Sequence, residues 1–505
     1  MITLQSRVVP ALRQRLPLVL ALVAMIVWMI VVGDMIVLRH NKFLTFDFDL
    51  GIHDQSLWLL SRGQWWNTVC GLPVFGHHAM FMYYFLVPLV WLGGGPNLWN
   101  LLQVAAVGLA VIPIFLLAQR KLRNDWIALA FAVAWLLSPT SAWLVQETFH
   151  PETMAIPFFL MGYLYAVSRP EGTPLEARRH NVVTCLWLLA AMMWKEDIAI
   201  AVMLMGLGLA LRGRKRFGWA VCGGAALYFL IVGVWMVPTL AGDTSAYGML
   251  YGQFGETPFD VVKSSLQHPT WLWERLDTNN ALSYANRIQG PWAWVGVLSP
   301  ITLMMTVPQF FINIMTNASF TFEIRYHYQV VPLAVSAIAA IEGVAWVMKR
   351  WRDVAFVMVG AVLATSYVTA NSWGPLPFSE RYLPIEWGTV DVNTEGWQAA
   401  LDRIGDDPSG VAVHYPLVPH ITHRQYAYSF PNPWIRANYL TSDDAERRPD
   451  VVKWIVVSDG MLDARSREVL DTLISIGEFG NAQTVAGVTS YERLKPPTGF
   501  VLLQG

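Results

Sequence analysis

Charge is scarce in this chain. Asp, Glu, Lys and Arg make up 14% of its 505 residues, where a soluble domain carries about 25%. That excludes a string of ordinary soluble domains. The charges nearly cancel, to −1, so no nucleic-acid partner is expected. Cysteine is scarcer still. Cys70, Cys185 and Cys222 form no CxxC pair, which excludes a disulfide framework and a cysteine-based zinc site. What abounds is apolar: 54% hydrophobic residues, and 24 Trp, a residue of lipid–water interfaces. The composition is that of a polytopic α-helical membrane protein.

The first apolar run, about 16–38, follows Arg7, Arg13 and Arg15. It is too long for a signal-peptide core and no small-residue cleavage site follows, so it reads as an uncleaved first transmembrane helix. Basic residues mark the cytoplasmic loops. They are Arg120, Lys121 and Arg123; Arg169, Arg178 and Arg179; Arg212, Arg214, Lys215 and Arg216; and Lys349, Arg350 and Arg352. Placing them inside gives about eleven spans, near 16–38, 97–118, 126–146, 153–168, 181–194, 197–211, 217–240, 291–305, 306–316, 328–348 and 353–371. Those at 181–194, 197–211 and 291–316 are shorter than the ~20 residues of a straight crossing, which points to broken or re-entrant helices. The loops at 39–96, 147–152, 195–197, 241–290 and 317–327 are then external, and the apolar stretch 77–96 reads as an interfacial or re-entrant helix.

The membrane part ends near 371. A Pro/Gly-rich linker, 372–384, leads to residues 385–505, where charge rises. "GVAVHY" (410–415) and "VVKWIVVS" (451–458) read as strands, "SREVLDTLIS" (466–475) as a helix and "TVAGVTSYERL" (484–494) as a closing strand. This is a small extracytoplasmic α/β domain.

Four polar clusters fall in the external loops. "FDFDLGIHDQ" gives Asp47, Asp49, His53 and Asp54, and "QETFHPE" gives Glu147, His150 and Glu152. "WKED" gives Lys195, Glu196 and Asp197, and "EIRYHYQ" gives Arg325, His327 and Tyr328. His77 and His78 lie between the first two. Charges near membrane depth persist mostly where they pair or line a water-filled cavity. Four clusters on one side imply one external cavity. Its carboxylates suit a general base, its Asp, Glu and His suit a divalent cation such as Mg or Mn, and its Lys and Arg suit a phosphate. Together they point to group transfer from a lipid-linked phosphate. Each cluster also has a plainer role: Asp47 or Asp49 as a helix cap, Glu152 as a favourable charge on a helix dipole, Lys195–Glu196 as an ion pair, and Arg325 as a snorkelling residue. His414, His420 and His423, in the outer domain, read as structural.

"FDLGIHDQSLWLLSRGQ", "GHHAMFMYYFLVPLVWL", "FHPETMAIPFFL", "WKEDIAIAVMLMGLGLAL" and "YHYQVVPL" stand in that order. They resemble the bacterial membrane-protein family called domain of unknown function 2079, itself similar to the glycosyltransferase C (GT-C) superfamily. The resemblance implies a polyprenyl-phosphate sugar donor, transfer outside the cytoplasmic (inner) membrane, and a catalytic Asp in the first external loop. Asp49 stands at that position, with Asp47 giving an Asp-x-Asp spacing. For metal-using members it implies an ion at Asp49, Glu147, His150 and Glu152. Lys195, Arg325 and His327 would face the donor phosphate, with Asp54, His53, His78, Glu196 and Tyr328 elsewhere in the cavity. The acceptor would be a cell-envelope glycan or protein. The alternatives are a transporter or flippase of a lipid-linked sugar, and a non-catalytic envelope-assembly protein.

Overall fold

The structure is a computed structural model and describes residues 2–168, 173–242, 248–255, 258–390, 393–435 and 447–499. Arg169, and the side chains of Arg7, Arg13 and Asp47, lie outside the described residues.

Among the described residues, five helices are long and apolar enough to cross a membrane: Arg15–Asn41, Pro96–Leu122, Lys215–Ala241, Ser319–Met348 and Arg352–Trp373. A sixth candidate is Asp125–Leu137 with Pro139–Gln146, bent by 42° at Ser138, where proline begins the second piece. Helices Pro151–Val167, Pro174–Met192 and Ile198–Leu211 complete the bundle. Local signals explain several boundaries. Asn124 caps the helix at 125, and Thr173 with Glu176 forms a capping box at 174. The hairpin of helices 198–211 and 215–229 is held tight by glycine. A Cβ on Gly206 would lie 2.4 Å from the Cys222 amide nitrogen, the close small-residue packing that membrane helices favour.

The spans expected at 291–305 and 306–316 are not regular helices. The chain there forms short 3₁₀ turns at Gly290–Trp292 and Val295–Leu298, then helices Pro300–Leu303 and Val307–Ile314. Pro291, Pro300 and Pro308 interrupt the ladder. The segment still goes deep. Ser299 and Thr302 hydrogen-bond Glu342, twelve residues into helix Val330–Met348, or about 18 Å along it. Irregular backbone at that depth is tolerated where its polar groups meet protein, as buried Ser299 and Thr302 do, although Val297 and Val307 face outward. The chain descends and returns, so the parity of the expected topology is unchanged. The stretch 77–96 holds one nine-residue helix, Tyr83–Trp91, with Tyr84, Phe85 and Trp91 exposed, too short to cross.

The basic loops gather at one end of the bundle. Arg120 reaches Ser168, Arg214 reaches Ala166 and Asn181, and Lys121 reaches Glu342. At the other end sits a five-stranded sheet, ordered Ala427–Ser429, Gly410–Val413, Val452–Ser458, Val488–Arg493, Phe479–Val485. The first three strands run parallel and the last two antiparallel to their neighbours. The closing strand expected at 484–494 is in fact a hairpin. Ala486 and Gly487 take φ of 46° and 79°, the positive values of a tight two-residue turn. Helix Ala464–Ser475 covers one sheet face. The other face shares a core with the first loop: Phe43, Ile52, Val69 and Leu72 pack with Trp397, Val411, Leu417 and Trp454. The linker is packed too: its Leu376, and Trp387 just beyond it, belong to the core of the membrane bundle.

Candidate active site

As the first helix ends, Asp47–Gly51 make one wide π turn, a feature frequent at functional sites. Helix Ile52–Ser61 follows with Gly51 at its N-cap and no side-chain cap. Asp49 points elsewhere. Its Oδ1 lies 3.0 Å from His150 Nε2, and its side chain is 35% exposed. His150 in turn stacks on His327, with ring centroids 4.0 Å apart and planes at 20°. His327 Nδ1 is 3.0 Å from Glu147 Oε1, and its Nε2 is 3.6 Å from Glu152 Oε1. Lys195 Nζ closes the row at 2.6 Å from Glu152 Oε1. The first, second, third and fourth sequence clusters thus meet in one place.

The loop that carries Glu147 and His150 is pinned from below. Asn100 accepts from the Phe149 amide at 3.0 Å. Gln103 accepts from the His150 amide at 2.5 Å and donates to the Leu144 and Thr148 carbonyls. These bonds hold Thr148 at φ 87°, an uncommon conformation for a side-chain-bearing residue. The sequence reading missed Asn100 and Gln103. Their signal was present: two amides spaced i, i+3 on one face of an apolar helix.

Charge sets the protonation of the pair. Burial alone would raise the Asp49 carboxyl, but the adjacent His150 charge outweighs it and holds Asp49 below the ordinary carboxylate range. Burial pushes His150 down, yet Asp49 and Glu147 carry it up to about 10. His53 differs. Burial, then the His150 charge, take it down to about 3, and its Nδ1 hydrogen-bonds the Tyr83 hydroxyl at 2.7 Å. His53 lies beside both His77 and His150.

Buried polar atoms here with no aligned hydrogen-bond partner among the described residues include His150 Nε2 and Glu147 Oε2. Ligand atoms of Glu147, His150 and His327 all lie within 4.8 Å of one another. An unsatisfied carboxylate oxygen close to two imidazoles fits a cation, whose binding would displace the His150 proton. Two imidazoles suit a transition ion better than Mg. Glu152, expected as a ligand, is taken by Lys195, and His327 stands in its place.

Other expected residues scatter. Tyr328 and Lys195 line a cavity of about 20 Å³ with Glu152, Asp197, Gln309 and His327. His78 Nδ1 pairs with Glu196 Oε1 at 2.8 Å, so Glu196 partners a histidine. Arg325 lies over the Trp143 ring and 3.0 Å from Glu386, which also binds Gln146. Glu386, just past the linker in the 3₁₀ turn Pro384–Trp387, was not singled out in the sequence. Asp54 is not in the cavity. It is buried against Trp99, Thr422 and His423, because its helix turns it toward the sheet domain.

A family model described as "Predicted membrane protein (DUF2079)" matches residues 39–488. A search of curated proteins finds no match. Among solved structures, ArnT from Cupriavidus metallidurans in the apo state is similar at TM-score 0.54 and 13% identity, over 96% of this chain and 99% of that one. ArnT bound to undecaprenyl phosphate gives 0.53 with the same identity and coverage. At that identity the likeness speaks for fold alone. This chain shares the ArnT fold.

Proposed function

This chain belongs to the DUF2079 family of predicted membrane proteins, and we propose that it is a membrane glycosyltransferase using a polyprenyl-phosphate sugar. One observation carries the reading. Asp49, a part-exposed carboxylate, meets a buried acid–imidazole cluster with unsatisfied atoms, on a fold shared with a protein solved with undecaprenyl phosphate bound.

In the proposed reaction Asp49 accepts the proton of an acceptor hydroxyl. The hydroxyl oxygen bonds to the sugar anomeric carbon as the bond from that carbon to phosphate oxygen breaks. Polyprenyl phosphate leaves with the electron pair, and the anomeric centre inverts. Lys195, with His327 beside it, faces the leaving phosphate. Arg325 reaches it only by releasing Glu386. Glu147, His150 and His327, with Asp49 at the edge, would hold a divalent cation. Such an ion, when bound, supplies charge neutralisation for the leaving group. Asp47 is the alternative base at Asp-x-Asp spacing.

We place this site on the extracytoplasmic face of the inner membrane, because the basic loops converge on the opposite end. Residues 1–371 carry the chemistry, 372–384 connect, and 385–505 help to position a cell-envelope glycan or protein. The acids stay at one end and the charge network at the other end is closed, which speaks against a transport path. The test is a cryo-EM map of the purified protein with saturating undecaprenyl phosphate. Headgroup density is expected between Lys195 and His327. A saturated sample without it, or full activity in both Asp49→Asn and Asp47→Asn, overturns the reading.

A further inference from the structure

Helices Pro258–Gln267 and Pro269–Thr278 form a hairpin that is apolar on its packed side and carries a second apolar stripe outward. On the first helix Phe259, Val262 and Leu266 are 74%, 58% and 79% exposed. Their spacing, i, i+3, i+7, puts them on one stripe. The inward side of the same helix holds Val261, Ser264 and Ser265, and the Ser265 hydroxyl bonds back to the Val261 carbonyl. On the second helix Trp273 is 73% exposed. Water does not favour this arrangement.

What covers the stripe follows from its surroundings. The hairpin stands between two stretches that present apolar side chains outward: Leu230, Ile231, Val234 and Trp235 before it, and Val297, Val307 and Phe311 after it. Its own inward residues Val261, Leu272 and Leu276 pack in a cluster with Phe310 and Phe322 of that following stretch. The hairpin thus packs directly on a stretch that also turns apolar side chains outward. Exposed Lys263 sits beside Val262, suited to snorkel to headgroups, and Trp273 suits the interface. The opposite side is polar. Trp271, Glu274, Arg275 and Thr278, with Gln253 and Asn317, line a cavity of about 300 Å³. Trp273 is two residues from Trp271, half a helical turn away, so it points away from that cavity.

We propose that hairpin 258–278 lies in the bilayer surface, with Phe259, Val262, Leu266 and Trp273 among the acyl chains and the polar cavity facing water. The occupant is lipid, and the proposal does not depend on the transfer reaction. Surface-lying helices of this kind sink about 5–10 Å into the headgroup boundary.

Nitroxide labels read this directly. Exposed Cys185 and half-buried Cys222 are replaced by Ser, while Cys70, fully buried, is left in place. Single labels follow from Val262→Cys, Leu266→Cys and, on the cavity side, Thr278→Cys. The full-length protein goes into phosphatidylcholine–phosphatidylglycerol nanodiscs. The ratio of oxygen to nickel-chelate accessibility should be several-fold higher at 262 and 266 than at 278. Equal ratios at all three sites would place the stripe in water and overturn the proposal. Protection from both reagents at 262 and 266 would mean a protein cover, such as a second copy, and would overturn it equally.

Discussion

The two ends of the bundle both bury charge, and they do so differently. At the basic end Glu342 is saturated. One oxygen takes Lys121 at 2.8 Å, and the other takes Arg212 at 2.6 Å, Thr302 at 2.7 Å and Ser299 at 3.2 Å. Arg212 also donates to the Tyr163 hydroxyl. One acid meets two cations, and every acceptor is used. At the sheet-domain end Asp49, Glu147, Glu152, Glu196 and Asp197 gather around Lys195 and histidines, while the nearby Arg325 and Arg39 are turned to Glu386. There Glu147 Oε2 and His77 Nδ1 go without hydrogen-bond partners among the described residues, and His150 Nε2 has only its poorly aligned contact with Asp49. A closed network is what structure needs. A concentration of acid with open valences is what a binding site looks like before its ligand arrives.

The largest expected effect breaks the open end. Asp49→Asn should lower transfer by ~10²–10⁴-fold with little change in folding, since Asn keeps the size and caps no helix here. Asp47→Asn in the same assay decides which acid is the base. If both variants keep full rate while only thermal stability changes, the two ends do not differ in kind. Next comes the support under the open end. Gln103→Ala frees loop 147–150, and about a 10–100-fold loss of metal affinity is expected, as for other residues that orient ligands. Metal content after dialysis against graded chelator measures it. Unchanged affinity would mean that the loop needs no brace.

Breaking the closed end should do the reverse. Glu342→Ala leaves Lys121 and Arg212 unpaired but part-exposed, so the cost is about 1–2 kcal/mol rather than the larger penalty of a fully buried pair. It should appear as a lower melting temperature in detergent, with activity per folded molecule unchanged. A loss of rate in the folded fraction would make the closed network functional. The smallest effect concerns docking of the sheet domain. Burial lowers His423, but Asp54 more than offsets it, so its pKa stands above the ordinary 6.5. The stabilisation is present in full below pH 6.5 and is lost as pH rises through the raised folded value. His423 is more than a third exposed, which holds the contribution under ~1 kcal/mol. His423→Gln should flatten the dependence of melting temperature on pH between about 6 and 8. An unchanged slope would remove His423 from the docking.

Much of this was legible in the residues. Apolar runs between basic loops located the long helices, because crossing lipid demands unbroken apolar length. Clusters of acids and histidines at run ends marked Asp49, Glu147, His150, Glu152, Lys195 and His327, because ionisable groups are costly there without a task. The segment 291–316 was less legible. Its hydropathy matches a span, but three prolines break it into turns that only burial among other helices can support. Asp54 misled for a different reason: a helix sets which way each acid faces, and a list of neighbouring acids does not.

By itself, the sequence determined that this is a helical membrane protein of the DUF2079 family, with its reactive residue types at one set of loop ends. Those are properties of local composition and order along the chain. Tertiary structure alone decided which side chains meet. It stacked His150 on His327 across 177 residues, gave Glu152 to Lys195, turned Asp54 and His423 into a docking contact, and merged the outer sheet with the first loop into one core. Each of those outcomes depends on distances between segments far apart in the chain, fixed by packing, and no local pattern encodes them.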